Sequence, residues 1–261
     1  MFGCTNVYSV WDKRKIRGIK NYRRLAKNVE YKGTRDVEKN KKVFSFEDDT
    51  TELLCSAGVK NVYPGILEAD DVISWLCDKI EDTKVIVSVD QDMLQLVDDK
   101  TAVYSPIKNV IIDEANFEEI TSVPKRDFLR YKSLVGDKSD NLPGVERCGP
   151  KTAKKLLAEC PTDGDLIEKV GKDGIQPYLT NLKLIDLKEG HRQHPGDVEI
   201  YEEQYQELSK HKPDFRKFEQ CCNRLGMEKS IGDISNWKQV FQPAPLNQTL
   251  QDIVNKLDLH K

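Results

Sequence analysis

With 261 residues, 38% hydrophobic and 33% charged side chains and a net charge of −3, the chain has room for one main body with an appendage, because single cores stop growing near ~250 to 300 residues. No apolar run approaches the ~20 residues of a membrane span, and residues 1–6 offer no basic segment leading into an apolar one, which argues against a secretory leader. Seven cysteines without a C-x-x-C pair argue against a disulfide framework or a zinc site and for a reducing, cytoplasmic setting.

Along the chain, residues 7–11 (VYSVW) are a short β-branched and aromatic run that reads as a strand delivering Asp12 to its C-terminal end. Between Lys13 and Lys42, thirteen lysines and arginines face only Glu30, Asp36 and Glu38, with Tyr22 and Tyr31 interleaved. Such density suits a surface that tracks phosphates, each neutralised phosphate releasing counterions, and it equally suits a solvated basic arm. A polar patch, 47–52, leads into a helix over 53–57. Apolar residues at 72, 73, 75, 76 and 80 give a second helix helical spacing. Lys84 to Asp90 reads as a buried strand, too apolar for a half-exposed one, and 103–104 with 110–112 as a strand pair. From Lys125 the pattern turns helical: helices over 126–135 and 151–160 bound a glycine- and proline-punctuated segment, 136–149, and further helices cover 176–187, 215–225 and an amphipathic tail at 250–257. No internal repeat is present.

Four acidic groups stand out: Asp12 after a strand, Glu68/Asp70/Asp71 at a helix start, Asp90/Asp92 after a strand, and Asp137/Asp140 in the glycine-rich segment. Taken singly, each has an ordinary explanation. Acids complement a helix N-terminus, and aspartates form turns. Taken together they point elsewhere. Ligands of α/β folds gather beyond the carboxyl ends of parallel strands, where Asp12 and Asp90 both lie. Carboxylates brought together repel unless cations separate them, and an all-oxygen set suits Mg²⁺ or Mn²⁺. His191, His194, His211 and His260 lie far along the chain from these acids and fit surface positions better.

The motifs also resemble a family. Glu68-Ala69-Asp70-Asp71, then Ser88 to Leu96 (SVDQDMLQL), then Gly136 to Val145 (GDKSDNLPGV) with Cys148 to Ala153 (CGPKTA) following, are similar in order and spacing to bacteriophage and bacterial 5′-nucleases, the 5′→3′ exonucleases and flap endonucleases. Tyr31-Lys32-Gly33-Thr34-Arg35 resembles that family's Tyr-Lys-x-x-Arg element, and residues 181–187 the segment after its DNA-binding motif; the likeness spans about residues 7 to 190. It implies an α/β, PIN-like fold: a mostly parallel central sheet flanked by helices, a helical arch over about 20–57, and a helix-3-turn-helix hairpin over about 136–160. It implies a nuclease domain over 1–124, a helical domain over 125–240 and a tail over 241–261. Two Mg²⁺ or Mn²⁺ ions would be held by Asp12, Glu68, Asp70 and Asp90 and by Asp92, Asp137 and Asp140, with Asp71 behind them. Lys32 and Arg35 would meet the scissile phosphate. Tyr31, Gly144, Val145, Gly149, Lys151 and Thr152 would join Lys32 and Arg35 in gripping DNA, with K⁺ at the hairpin.

The implied activity is hydrolysis near 5′ ends or flaps of DNA, with RNase H action on RNA–DNA hybrids, in replication and primer removal. The implied setting is a phage-encoded monomer in a bacterial cytoplasm, with a single-strand-binding protein or replicative polymerase as partner. Two departures stand out. Arg147 occupies a position where the family shows glycine. Nothing before Asp12 supplies the opening Asp-Gly-x-Asn-like strand whose aspartate binds metal in these enzymes, so the chain is expected to lack an N-terminal portion. The alternatives are a member of the same fold that binds DNA without cutting it, and an unrelated α/β interaction protein whose acids cap helices.

Overall fold

In a computed structural model, which describes residues 4–12, 22–26, 30–32, 45–227 and 232, the run after Asn6 forms β1 (Tyr8–Val10), paired in parallel with β2 (Lys60–Val62) in the register Tyr8↔Lys60, Ser9↔Asn61 and Val10↔Val62. A bond from the Trp11 N–H to the Val62 carbonyl prolongs this ladder and carries the chain on to Asp12. The described residues fall into two compact units: 4–12, 45–73, 195–227 and 232 in the first, and 22–26, 30–32 and 74–194 in the second.

In the first unit α1 (Glu47–Ser56) begins six residues before the helix expected at 53–57. The acids Glu47, Asp48 and Asp49 make its first turn, where the unpaired N–H groups favour negative charge. What reads as a polar linker is therefore the start of the helix. The next helix, α2 (Ala69–Lys79), carries its acids Asp70 and Asp71 in the first turn, and the division between the units falls within it.

The second unit holds β3 (Lys84–Val87), parallel to β4 (Thr101–Ser105), which pairs antiparallel with β5 (Val110–Ile112). The α/β class thus stands; among the described residues two strand pairs are parallel, β1–β2 and β3–β4, and two are antiparallel, β4–β5 and a short ladder between 136–137 and 142–143. Contrary to expectation, the apolar run 84–90 is not wholly buried: Ile86 is covered, while Val87 and Val89 are 58% and 61% exposed. The reason is position. Among the described residues β3 lies at the edge of the ladder β3-β4-β5, and an edge strand has a neighbour on one side only.

After α3 (Phe117–Thr121) come α4 (Phe128–Val135), the two-stranded ladder of β6 (Gly136–Asp137) and β7 (Leu142–Pro143), and α5 (Pro150–Glu159). α6 (Asp163–Ile185) opens on a capping box between Thr162 and Asp165 and breaks at Gly171, whose φ of 69° is left-handed. It therefore starts well before the helix expected at 176–187. α7 (Leu187–Gln193) follows. Leu134, Val145, Cys148, Ala153, Leu157, Leu166 and Tyr178 form the core between α4, α5 and α6.

The chain then returns to the first unit with α8 (Pro195–Leu208), which is absent from the sequence-based expectation, and α9 (Phe215–Arg224). Proline at the first position of α8 is nevertheless a legible start signal. α9 packs Phe218 and Cys222 on Ala57 and Leu53, and Arg224 forks to Asp49 and Glu52 at 2.6 Å each. The seven cysteines are free. Among the described residues no helix is long and apolar enough to cross a membrane. Most of the basic stretch 13–42, much of the expected arch and the tail helix at 250–257 lie outside the described residues.

Candidate functional site

The acids of the first unit meet at the head of α2. Asp12 leaves the C-terminal end of the β1 ladder, and its Oδ1 accepts the Ala69 N–H at 2.9 Å. Fully buried Asp71 turns its Oδ2 back to the Glu68 N–H at 3.0 Å, while its own N–H donates to the Glu68 carbonyl. Asp71 thus does the capping work that an acid at this position commonly does. Glu68 and Asp70 are half-buried beside it, and Asp12 is exposed.

A different chemistry serves the acids of the second unit. Asp90 lies three residues beyond Val87, the end of β3, and its N–H donates to the Ser88 hydroxyl at 3.0 Å. The Asp90 carboxylate in turn accepts the Asp92 N–H at 2.9 Å and caps the 3₁₀ turn Gln91–Leu96. That turn buries Met93, Leu94 and Leu96, which fixes where Asp92 points. The Asp92 Oδ1 stands 3.0 Å from the ammonium of Lys132, a buried residue of α4. The same ammonium bonds the Asp137 Oδ2.

The two carboxylates that share Lys132 respond in opposite ways. Burial pushes Asp92 up to about 6, a rise that Lys132 offsets only in part and that Asp90 and Asp137 reinforce. Burial also acts on Asp137, but donors from Lys132 and from the Ser139 hydroxyl and N–H outweigh it and hold that carboxyl below the usual range. Lys132 itself is raised: burial works against its charge, and Asp92 and Asp137 more than compensate. Asp92 Oδ1 is buried without a well-aligned hydrogen bond. Carboxylate oxygens such as those of Asp92 and Asp137 are donors of the type that suits a hard divalent cation, and here the Lys132 ammonium is the cation beside them.

Asp137 and Asp140 are set by the β6–β7 ladder, which pairs Gly136 with Pro143 and Asp137 with Leu142. Gly144 is needed there, because a Cβ at that position would collide with the Val135 carbonyl. Asp140 is buried. Its carbonyl accepts the Lys32 N–H at 2.9 Å, and the Lys32 ammonium stands 3.9 Å from its carboxylate. Tyr31 packs with Leu142, Leu184 and Ile185, so the Tyr31-Lys32 pair is anchored beside Asp140. Arg35 lies outside the described residues.

In the expected hairpin, Val145 is buried and its N–H donates to the Leu134 carbonyl. Exposed Gly149 caps α5 ahead of Pro150, and Lys151 and Thr152 are exposed on the first turn. Arg147 takes the left-handed φ of 59°, the conformation that glycine adopts most readily. Its side chain is 91% exposed and pairs with Glu146 at 3.5 Å.

Among the described residues no three His, Cys, Asp or Glu side chains are gathered tightly enough to hold a metal ion. Sequence reasoning does not single out Lys132, one lysine on a helix five residues before Asp137. Nor does it give a role to Asn181, whose buried amide donates to the Ser133 and Pro143 carbonyls and braces the β6–β7 turn. Neither residue type carries a signal by itself.

Residues 3–122 match the family described as "5'-3' exonuclease, N-terminal resolvase-like domain" and residues 123–193 the one described as "5'-3' exonuclease, C-terminal SAM fold". The chain belongs to the 5′-3′ exonuclease family. Among its relatives, the 5′-3′ exonuclease of Aquifex aeolicus (strain VF5) is 30% identical over 200 residues, covering 74% of this chain and 66% of that protein. The 5′-3′ exonuclease of Bacillus subtilis (strain 168) is 33% identical over 195 residues, 70% of this chain and 64% of that protein. The chain thus spans a little under two thirds of the length of these relatives. The fold is shared with the T5 D15 protein co-crystallized with metal ions, at a TM-score of 0.65 and 22% identity over 78% of this chain and 83% of that one.

Proposed function

We propose that this chain is a divalent-metal-dependent, structure-selective 5′ nuclease, acting as a 5′→3′ exonuclease and flap endonuclease on DNA. The observation that carries this is the placement of the strand-end acids. Asp12 and Asp90 both follow the carboxyl ends of parallel strands, and each leads to further acids: Asp12 to the head of α2 with Glu68 and Asp70, Asp90 to Asp92 and through Lys132 to Asp137. Two Mg²⁺ or Mn²⁺ ions would be held by Asp12, Glu68, Asp70, Asp90, Asp92, Asp137 and Asp140. Bound there, they supply positive charge for activating water and for the leaving oxygen.

The chain's own residues do the rest. Lys32 and Arg35 meet the charge of the scissile phosphate. Lys132 keeps Asp92 and Asp137 in place. The loop from Gly144 to Gly149 offers backbone N–H groups, and Lys151 a charge, to duplex phosphates, with K⁺ at the hairpin. The nuclease domain would cover 1–124, the helical domain 125–240 and the tail 241–261. The chain would also act on RNA–DNA hybrids in primer removal, in the cytoplasm, with a single-strand-binding protein or polymerase as partner.

Asp90→Ala and Asp137→Ala should each lower Mg²⁺-dependent cleavage of a 5′-flap substrate by about a thousandfold while sparing DNA binding; cleavage near the wild-type rate would remove the assignment. The Lys132 ammonium already bridges Asp92 and Asp137, which favours a second reading, DNA binding without cutting. It predicts salt-sensitive binding and no hydrolysis by the wild-type chain.

A further inference from the structure

We propose that Asp197, on α8 and beyond residue 193 where the family match ends, is a positioning residue for the acid-bearing turn 68–71. Its carboxylate belongs to a residue only 2% exposed and receives the N–H groups of Gly65 (3.0 Å), Ile66 (2.9 Å) and Leu67 (2.9 Å) and the Tyr201 hydroxyl (3.0 Å). Two turns further along α8, Gln204 holds Tyr63 from both sides, accepting its N–H at 3.0 Å and donating to its carbonyl at 2.8 Å. Residues 63–67 are the link between β2 and α2, and α8 grips them by their backbone.

The grip continues without a gap into the acids. The Glu68 N–H goes to Asp71 and the Ala69 N–H to Asp12. Five consecutive amides, 65 to 69, are therefore each held by an aspartate carboxylate, and Asp197 takes the first three. A buried carboxylate is costly unless its lone pairs are filled, so this arrangement tolerates little displacement of the chain. Gly65 belongs to the same device: a Cβ there would lie 2.6 Å from the Asp197 Oδ1. If Asp197 is removed, three adjacent amides lose their acceptor, and Asp12 and Asp71 are left to hold a turn that is no longer fixed from behind. Glu68 and Asp70 then lose their set positions. The consequence for metal binding rests on the nuclease reading above.

The test uses the full chain with Asp197→Asn, which keeps the shape but turns an N–H₂ group toward N–H donors, and with the milder Tyr201→Phe. Amide hydrogen exchange is read over residues 63–71, and Mn²⁺ binding by calorimetry. Asp197→Asn should speed exchange across 65–71, not only 65–67, with α1 and α9 unchanged. It should weaken Mn²⁺ binding by about tenfold, as loss of a supporting contact behind metal ligands does, while flap cleavage at saturating Mn²⁺ stays near wild type. Tyr201→Phe should show the same pattern, smaller, and decides the matter if Asp197→Asn does not fold. Faster exchange confined to 65–67, or unchanged Mn²⁺ affinity in a variant of a wild type that binds Mn²⁺, would overturn the proposal. A wild type that binds no Mn²⁺ and cuts no flap would sink the nuclease reading instead, and the spread of exchange into 68–71 would still decide the clamp.

Discussion

The two acidic groups of this chain are held by different means. In the first unit, Asp12, Asp71 and Asp197 are held by hydrogen bonds from backbone amides before and at the head of α2. In the second, Asp92, Asp137 and Asp140 stand beside the ammonium groups of Lys132 and Lys32. Amides are fixed by the fold and carry partial charge; an ammonium is a full charge on a flexible stem that can be exchanged for another cation. The first group should therefore respond mainly to changes in backbone position, and the second to the loss of a single side chain.

The largest effect expected is on chemistry. Asp137→Ala should lower Mg²⁺-dependent flap cleavage by about a thousandfold, the equivalent of the several kcal/mol that metal ions supply to such reactions; single-turnover rates would show it. Next, Lys132→Met strands Asp92 and Asp137 without their cation. It should cost about 3 kcal/mol in urea unfolding, and part of that loss should return on adding Mn²⁺. A cost under ~1 kcal/mol would mean the pair is not held as described. In the first unit, Asp71→Ala removes one cap and should cost about 1 to 2 kcal/mol, with no recovery from Mn²⁺. The smallest effect is at Arg147: Arg147→Gly relieves the left-handed conformation at an entropic cost, so stability should rise by about 0.5 kcal/mol while duplex binding becomes less salt-dependent.

How much of this can be read from the sequence follows the same division. The acids are visible because carboxylates in register with strand ends and helix starts form a pattern, and Arg147 stands out as a residue in a glycine position. Its φ of 59° shows that the chain keeps the glycine-like geometry without the glycine. Lys132 is not visible, since one lysine on a helix looks like any other. The grip of α8 is hidden for a deeper reason: Asp197 and Gln204 bind N–H and carbonyl groups that nearly every residue has, so no residue type marks their targets. At Val87 and Val89 hydropathy misleads, because it reports what a strand could bury, and the pairing decides what it does bury.

The acids of the second unit are proposed to hold a divalent ion, and a double-mutant cycle on the two carboxylates that share Lys132 tests this most directly. Asp92→Ala, Asp137→Ala and the double variant would be compared by the rise in unfolding midpoint on adding Mn²⁺. An ion held by both carboxylates predicts that each single change removes most of the rise and that the double change removes little more. Additive losses from the two positions would contradict it.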